Sequence, residues 1–278
     1  MSLKNVAQET LEIVEKGQYT NSRGEIVDFL EMQRYAVAGT LLYRPEQGHS
    51  LLKEASAYNS PSPIQWEVTQ ETTQEAAYRM VEKEKVQDLV LLNYASARNP
   101  GGGFLNGAKA QEEDLARCSG LYPCLLTQPE YYESNRNQNS LLYTDHIIYS
   151  PKVPWFRIQN SEFLDRVFLA SVITAPAPNA GQLFFQQSYN CDKIEAVLRQ
   201  RAGIILAIAR KHGHRSLLLG AWGCGAFSND PDMVADAFGR WLESPNFQGC
   251  FDRVTFAIYG RSTEKNNWKA FDNRFKKV

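Results

Sequence analysis

Apolar residues recur along this chain at two spacings, and the switch between them marks out its elements. Over residues 3–16, Val6, Leu11, Ile13 and Val14 are set among charges as in an amphipathic helix, and Gly17 ends it. Residues 25–29 and 40–44 are short strand candidates, and Pro45, Gly48, Pro61 and Pro63 punctuate the stretch up to residue 65. Residues 65–70 alternate as a strand does, and Thr72 or Thr73 can cap a helix that runs to about residue 85.

Beyond that the pattern is regular. Asp88–Asn93 has the composition of a strand buried on both faces. Further strands are predicted within Tyr143–Ser150, over Val167–Ala175, over Ser216–Gly220 and over Asp252–Tyr259. Helices are predicted over Ile194–Lys211 and Thr263–Lys276, and from Asp230-Pro231, an N-cap followed by proline at the first helical position. That last helix carries Val234, Ala237, Phe238, Trp241 and Leu242 on one face. Buried strands alternating with helices imply an α/β layer fold with a parallel or mixed sheet. The first ~65 residues read as a strand-rich accessory extension. No flexible linker joins them to the rest, so residues 1–70 are expected to pack on a main domain spanning 71–278.

Composition narrows the partners. The chain has 278 residues and a formal net charge of -1. It therefore lacks the overall positive field that duplex nucleic acid or an anionic membrane attracts. A polyanionic ligand must be met locally, by backbone N–H groups, helix N-termini or a few basic side chains. Five cysteines without a Cys-x-x-Cys pair read as reduced thiols of a cytoplasmic protein. The four histidines have no usual zinc spacing, and His212-Gly213-His214 reads as a helix-end turn. No signal-peptide core, membrane span or internal repeat is evident.

Two loops concentrate the chemistry. The first runs from Asn93 through Gly101-Gly102-Gly103 and Asn106 to Gln111-Glu112-Glu113-Asp114, between a buried strand and a helix. Three consecutive glycines allow unusual backbone angles and close approach to a ligand, at the strand end where open α/β sheets bind ligands. The dinucleotide fingerprint fails because Asn106 stands where glycine is needed, and the phosphate-loop pattern fails because Ala108 replaces its lysine. The acids at the loop's end have two readings. They can complement the helix dipole, with Glu113 paired to Arg117, or one carboxylate can protonate a leaving oxygen and then deprotonate a water. Adjacent helical residues point about 100° apart, so the two glutamates cannot share one role.

The second loop, Gly220-Ala221-Trp222-Gly223-Cys224-Gly225-Ala226-Phe227, also joins a strand to a helix. Its small residues can turn successive N–H groups inward as an anion nest suited to a pyrophosphate. Alternatively the glycines serve a tight crossing, and Trp222 and Phe227 are core residues. A nucleophilic Cys224 lacks a nearby histidine in sequence.

Together the run Asn99-Pro-Gly-Gly-Gly-Phe-Leu-Asn-Gly-Ala-Lys-Ala-Gln-Glu-Glu113 and the Gly220–Phe227 loop resemble the poly(ADP-ribose) glycohydrolases of the shorter bacterial type. The resemblance implies a macrodomain-like three-layer fold, a mixed central sheet flanked by helices, plus an N-terminal extension. It implies Glu113 as the catalytic acid/base and Glu112 as the holder of ribose hydroxyls. Substrate contacts are expected from Gly101, Gly102, Gly103, Asn106 and Gln111, and from Gly223, Cys224, Gly225, Ala226 and Phe227. No metal or cofactor is needed. The expected partners are poly(ADP-ribose), ADP-ribose and poly-ADP-ribosylated proteins, met by a monomer that trims polymer from its end, with the extension closing over the adenosine side. Competing readings are a non-catalytic ADP-ribose-binding module, a hydrolase of mono-ADP-ribosylated protein, and a nucleotide-sugar or dinucleotide enzyme.

Overall fold

The computed structural model describes residues 2–56, 63–160, 162–186, 190–260 and 265–276. Pro61 and the predicted helix start at Thr263 lie outside these. Helix α1 (Leu3–Lys16) ends at Gly17 with φ 69°, and a hairpin of β1 (Gln18–Thr20) and β2 (Ile26–Asp28) comes next. Then come α2 (Leu30–Ala38), β3 (Leu41–Tyr43), α3 (Pro45–Glu54) and β4 (Gln65–Thr69). Helix α4 (Thr73–Tyr78) is opened by a Thr72–Glu75 capping box and widens into a π turn over Arg79–Lys83. Strand β5 (Leu89–Tyr94) enters the glycine loop, which leads to α5 (Gln111–Cys118).

Two short helices, α6 (Leu121–Leu126) and α7 (Pro129–Asn137), precede the long antiparallel pair β6 (Ile147–Arg157) and β7 (Phe163–Ala175). The rest of the chain is α8 (Ala180–Phe185), α9 (Cys191–Lys211), β8 (Ser216–Leu219), α10 (Pro231–Leu242), β9 (Arg253–Ala257) and α11 (Lys265–Phe275).

Seven strands form one sheet in the order β3-β6-β7-β5-β8-β9-β4. The β3–β6 and β6–β7 pairs are antiparallel and all others parallel. Successive residues of β5 serve opposite faces, because side chains alternate along a strand. Val90 and Leu92 pack with Leu198, Ile205, Val234 and Phe238 of α9 and α10. Leu89 and Leu91 pack with Ala76, Leu115, Leu121 and Tyr131 of α4 to α7. The result is three layers with the sheet buried on both sides.

The predicted strands and helices beyond residue 65 are present within a few residues. Strand β6 starts later than expected, at Ile147, and extends to Arg157. The strand-rich reading of the first 65 residues is corrected: three helices dominate it. Helices α2 and α3 escape a periodicity search because both are short. Strands β3 and β4, at opposite edges of the main sheet, also come from residues 1–70.

Helix α1 lies against α5 and the glycine loop. Its Ala7 and Leu11 pack with Phe104, Ala116 and Tyr122. Thr10 Oγ1 bridges α1 to α5, reaching Arg117 O at 3.0 Å and receiving Arg157 Nη1 at 2.8 Å. Arg157 also pairs with Glu9. At the sheet's other end, His212-Gly213-His214 does end α9, and the two rings bond Tyr43 and Tyr149 through their Nε2 atoms.

Thr10→Val keeps the shape of this junction and removes its hydroxyl, leaving buried Arg157 short of an acceptor. A loss of about 1–3 kcal/mol is expected in chemical denaturation; an unchanged midpoint would show that α1 is not anchored there.

Candidate active site

Strands β5 and β8 are neighbours and parallel, so the loops leaving their C-terminal ends open side by side. The first loop tightens into a 3-10 turn over Phe104–Asn106. Gly101 and Gly102 have φ of 65° and 58°, angles that an L side chain adopts only at a cost. Space excludes a side chain at Gly102 as well. A Cβ there would stand 2.3 Å from Glu113 Oε1 and 3.2 Å from Glu112 Oε2. Both carboxylates therefore reach the same glycine.

Their environments differ. Glu112 is 2% exposed. Its Oε1 accepts from Asn93 Nδ2 at 3.1 Å and its Oε2 from Ser96 N at 2.7 Å. Burial pushes its carboxyl up to about 8, against the pull of these donors and with a further push from Glu113. Glu113, 9% exposed, accepts from Gly103 N at 2.9 Å and has the more open face toward the loop.

The ion pair of Glu113 with Arg117 is corrected. Arg117, fully buried, pairs with Asp114 at 2.6 Å and donates to Ala108 O at 2.9 Å. It clamps the end of the glycine loop to α5 and leaves Glu113 unclaimed. The Gln111 side chain braces the site from within the protein. Its Oε1 takes Tyr94 N at 2.8 Å, and its Nε2 donates to Leu92 O at 2.8 Å and Thr73 Oγ1 at 3.1 Å. Both amide hydrogens are spent on holding α5 to β5 and α4. Asn106 is exposed at the end of the 3-10 turn, and the adjacent Gly107 abuts Lys4 of α1.

In the second loop, Trp222 is core: it is 0% exposed and its Nε1 donates to Ala175 O at 3.0 Å. Gly223 has φ 73°, and a Cβ there would meet Ala177 at 2.4 Å. The turn is closed by Cys224 N to Ala221 O, Ser228 N to Gly225 O and Asn229 N to Gly223 O. Asn229 Nδ2 ties it to Pro178 O at 2.8 Å. Among the described residues, the N–H groups of Gly223, Gly225, Ala226 and Phe227 bond no protein acceptor. Four unclaimed donors on one loop are what an anion nest requires, without any lysine. Phe227 is half-buried, its ring centroid 6.0 Å from that of Tyr143. The Cys224 thiol is pushed up by burial, the reverse of what a nucleophile needs. Among the described residues, no cluster of His, Cys, Asp or Glu is arranged to hold a metal, and no helix is long and apolar enough to cross a membrane.

Asn93 and Ser96 were missed as candidates. The signal for Asn93 was present: an amide on the core face of a strand that is otherwise Leu and Val. Ser96 acts through its backbone, which no side-chain pattern reveals.

The class of protein is thus a macrodomain-like α/β fold carrying a paired-glutamate, glycine-wrapped site beside a loop of unclaimed backbone N–H groups. A family model for the catalytic domain of microbial-type PARG matches residues 7–158, and the chain belongs to that family, the glycosidases that hydrolyse poly(ADP-ribose). It is 44% identical to poly(ADP-ribose) glycohydrolase from Thermomonospora curvata, covering 98% of this chain and 99% of that one with a TM-score of 0.93. The same enzyme bound to the inhibitor ADP-HPD matches at 43% identity, covering 98% and 99%, with a TM-score of 0.90. The Deinococcus radiodurans glycohydrolase in complex with ADP-ribose matches at 43% identity, covering 88% and 97%, with a TM-score of 0.81. No curated protein matches the chain.

Gly102→Ala tests the close approach. The new methyl must displace Glu113, and a displacement of about 1 Å lowers turnover by about 10²-fold. Wild-type turnover in a folded Gly102→Ala protein would show that Glu113 does not work against this glycine.

Proposed function

We propose that this chain hydrolyses the 1″→2′ O-glycosidic bond between riboses of poly(ADP-ribose), releasing ADP-ribose, with Glu113 as acid/base. One observation carries the assignment within the pair: the oxygens of Glu112 are tied to Asn93 and Ser96, whereas among the described residues Glu113 meets only Gly103 N and the glycine loop. Glu113 donates a proton to the departing 2′-oxygen, then takes one from the attacking water. The intervening sugar cation is oxocarbenium-like. The substrate's own diphosphate, held on the Gly223–Phe227 N–H groups, supplies negative charge to stabilise it.

Glu112 receives ribose hydroxyls from its fixed position. Gly101 to Gly103 wrap the terminal ribose, with Asn106 at the loop's outer end, and Phe227 lies against the ribose on the diphosphate side. Cys224 contributes backbone and small size to the nest, not chemistry. We read cleavage as proceeding from the chain end, because α1 and Phe104 back the glycine loop and favour a terminal ribose there. Poly-ADP-ribosylated proteins would supply the polymer to a monomeric enzyme. A pure binding module is disfavoured, since two carboxylates facing a polyanion's site repel it unless they act on it.

Purified protein is incubated with labelled poly(ADP-ribose) in EDTA and the products sized. Wild type should release ADP-ribose monomer steadily. Glu113→Gln should release none while binding ADP-ribose within about tenfold of wild type, or roughly 1.4 kcal/mol. Near wild-type release by Glu113→Gln would remove the mechanism, and polymer bound but uncut by wild type would make the chain a reader.

Phe227→Ala should weaken ADP-ribose binding by about 1 kcal/mol or more in calorimetry, the usual worth of a stacked ring. Unchanged affinity would return Phe227 to the core.

A further inference from the structure

Behind the glutamates stands a residue that neither loop motif contains. Leu89, Leu91 and Asn93 share one face of β5, and the two leucines pack under α5, α6 and α7. An amide ending such a stripe, 0% exposed, is costly unless it is hydrogen-bonded. Asn93 Nδ2 donates to Glu112 Oε1 at 3.1 Å and to Thr174 Oγ1 at 3.2 Å. Thr174 is its directly paired neighbour on β7 and is itself fully buried. The amide's orientation is thus set by the sheet before any ligand arrives. Asn93 Oδ1 has no partner among the described residues. Turning the amide over would set that oxygen against the carboxylate.

We propose that Asn93 is a positioning residue of the glycohydrolase: braced by Thr174, it holds the Glu112 carboxyl in the orientation that meets the ribose hydroxyls. This rests on the glycohydrolase reading and on Glu112 meeting ribose. Glu113 on its own helix also acts on Glu112, and the neutral phenols of Tyr131 and Tyr132 on α7 feel its charge; none of these groups is cationic. The N–H donors of Asn93, Ser96 and Gly101 oppose the rise in proton affinity that burial causes, without cancelling it. Without the amide, Glu112 takes up a proton more readily, and a protonated carboxyl has fewer acceptor sites for hydroxyls.

The test is the pH dependence of kcat/KM for ADP-ribose release by the full chain, with ADP-ribose affinity measured over the same pH series. Asn93→Ala should move the acid limb of both curves up by about one pH unit, the worth of one hydrogen bond to a charged group. At the pH optimum the loss should fall on KM more than on kcat. Asn93→Asp, nearly isosteric, places a second carboxyl beside Glu112, so that one proton is shared between them. It should add a descending limb where that proton leaves. Thr174→Val leaves β5 untouched and frees the amide to turn, and should shift the acid limb in the same direction by less.

Limbs that coincide with wild type in all folded variants would overturn the role. So would a loss equal at every pH and accompanied by a lower Tm, which is the signature of packing alone. If Asn93→Ala fails to fold, Asn93→Asp and Thr174→Val decide the matter. Active wild type with unmoved limbs would sink Asn93 and leave the reaction standing; inactive wild type would sink the reaction itself.

Discussion

Glu113 Oε1 lies 2.3 Å from where a side chain on Gly102 would begin, so the glycine loop and the catalytic helix can meet only as bare backbone against carboxylate. Much of the neighbouring structure maintains that approach. Gly101 and Gly102 take left-handed angles to turn the loop back over α5. Gly103 N then hydrogen-bonds Glu113, and Ala108 O is pinned by Arg117. A residue with a Cβ at Gly102 would strain the backbone and push a carboxylate aside at the same time, and the site has no slack to absorb either.

That clamp is anchored outside the loop. Arg117 O receives the Thr10 hydroxyl, which in turn is held by Arg157 from the end of β6. Phe104, fully buried, fills the space between the loop and Ala7 and Leu11 of α1. The N-terminal helix therefore works as a backing plate for the glycine loop. The family match begins inside it, at residue 7. On the neighbouring strand the second loop is tied down differently. Asn229 and Trp222 bond the carbonyls of Pro178 and Ala175, beyond and at the end of β7, and the N–H groups between them stay unclaimed by backbone acceptors.

Two adjacent glutamates acquire different jobs because their surroundings differ, not their chemistry. Glu112 is sunk against the ends of β5 and β7 and is met by an amide and a backbone N–H. Burial raises its proton affinity and the donors restrain it. Glu113, one residue on, turns toward the glycine loop and keeps one face open. Such a separation of environments is how paired carboxylates in other enzymes come to serve as acid and as holder.

The order of buried strands and helices beyond residue 65 was legible because strand and helix periods differ and because Asp230-Pro231 and Thr72–Glu75 are local signals. The glycine loop with Gln111-Glu112-Glu113 was equally legible, since closeness of backbone to ligand demands glycine whatever surrounds it. What the chain pattern could not convey was set by contacts between distant residues. Helix α2 owes its stability to packing on β6, and α3 to packing on α9, more than to their own short periodicity. Arg117 chose Asp114 over Glu113, and Gln111 became a strut, because Ala108, Leu92 and Tyr94 stand where only the folded loop puts them. Asn93 and Thr174 are 81 positions apart in the chain, and only the parallel pairing of β5 with β7 makes them neighbours behind the site. Sequence alone determined which residues are small enough and acidic enough to build this chemistry. Tertiary structure decided which of those acids is tied down and which is left free, because burial and hydrogen-bond partners are properties of the packed sheet.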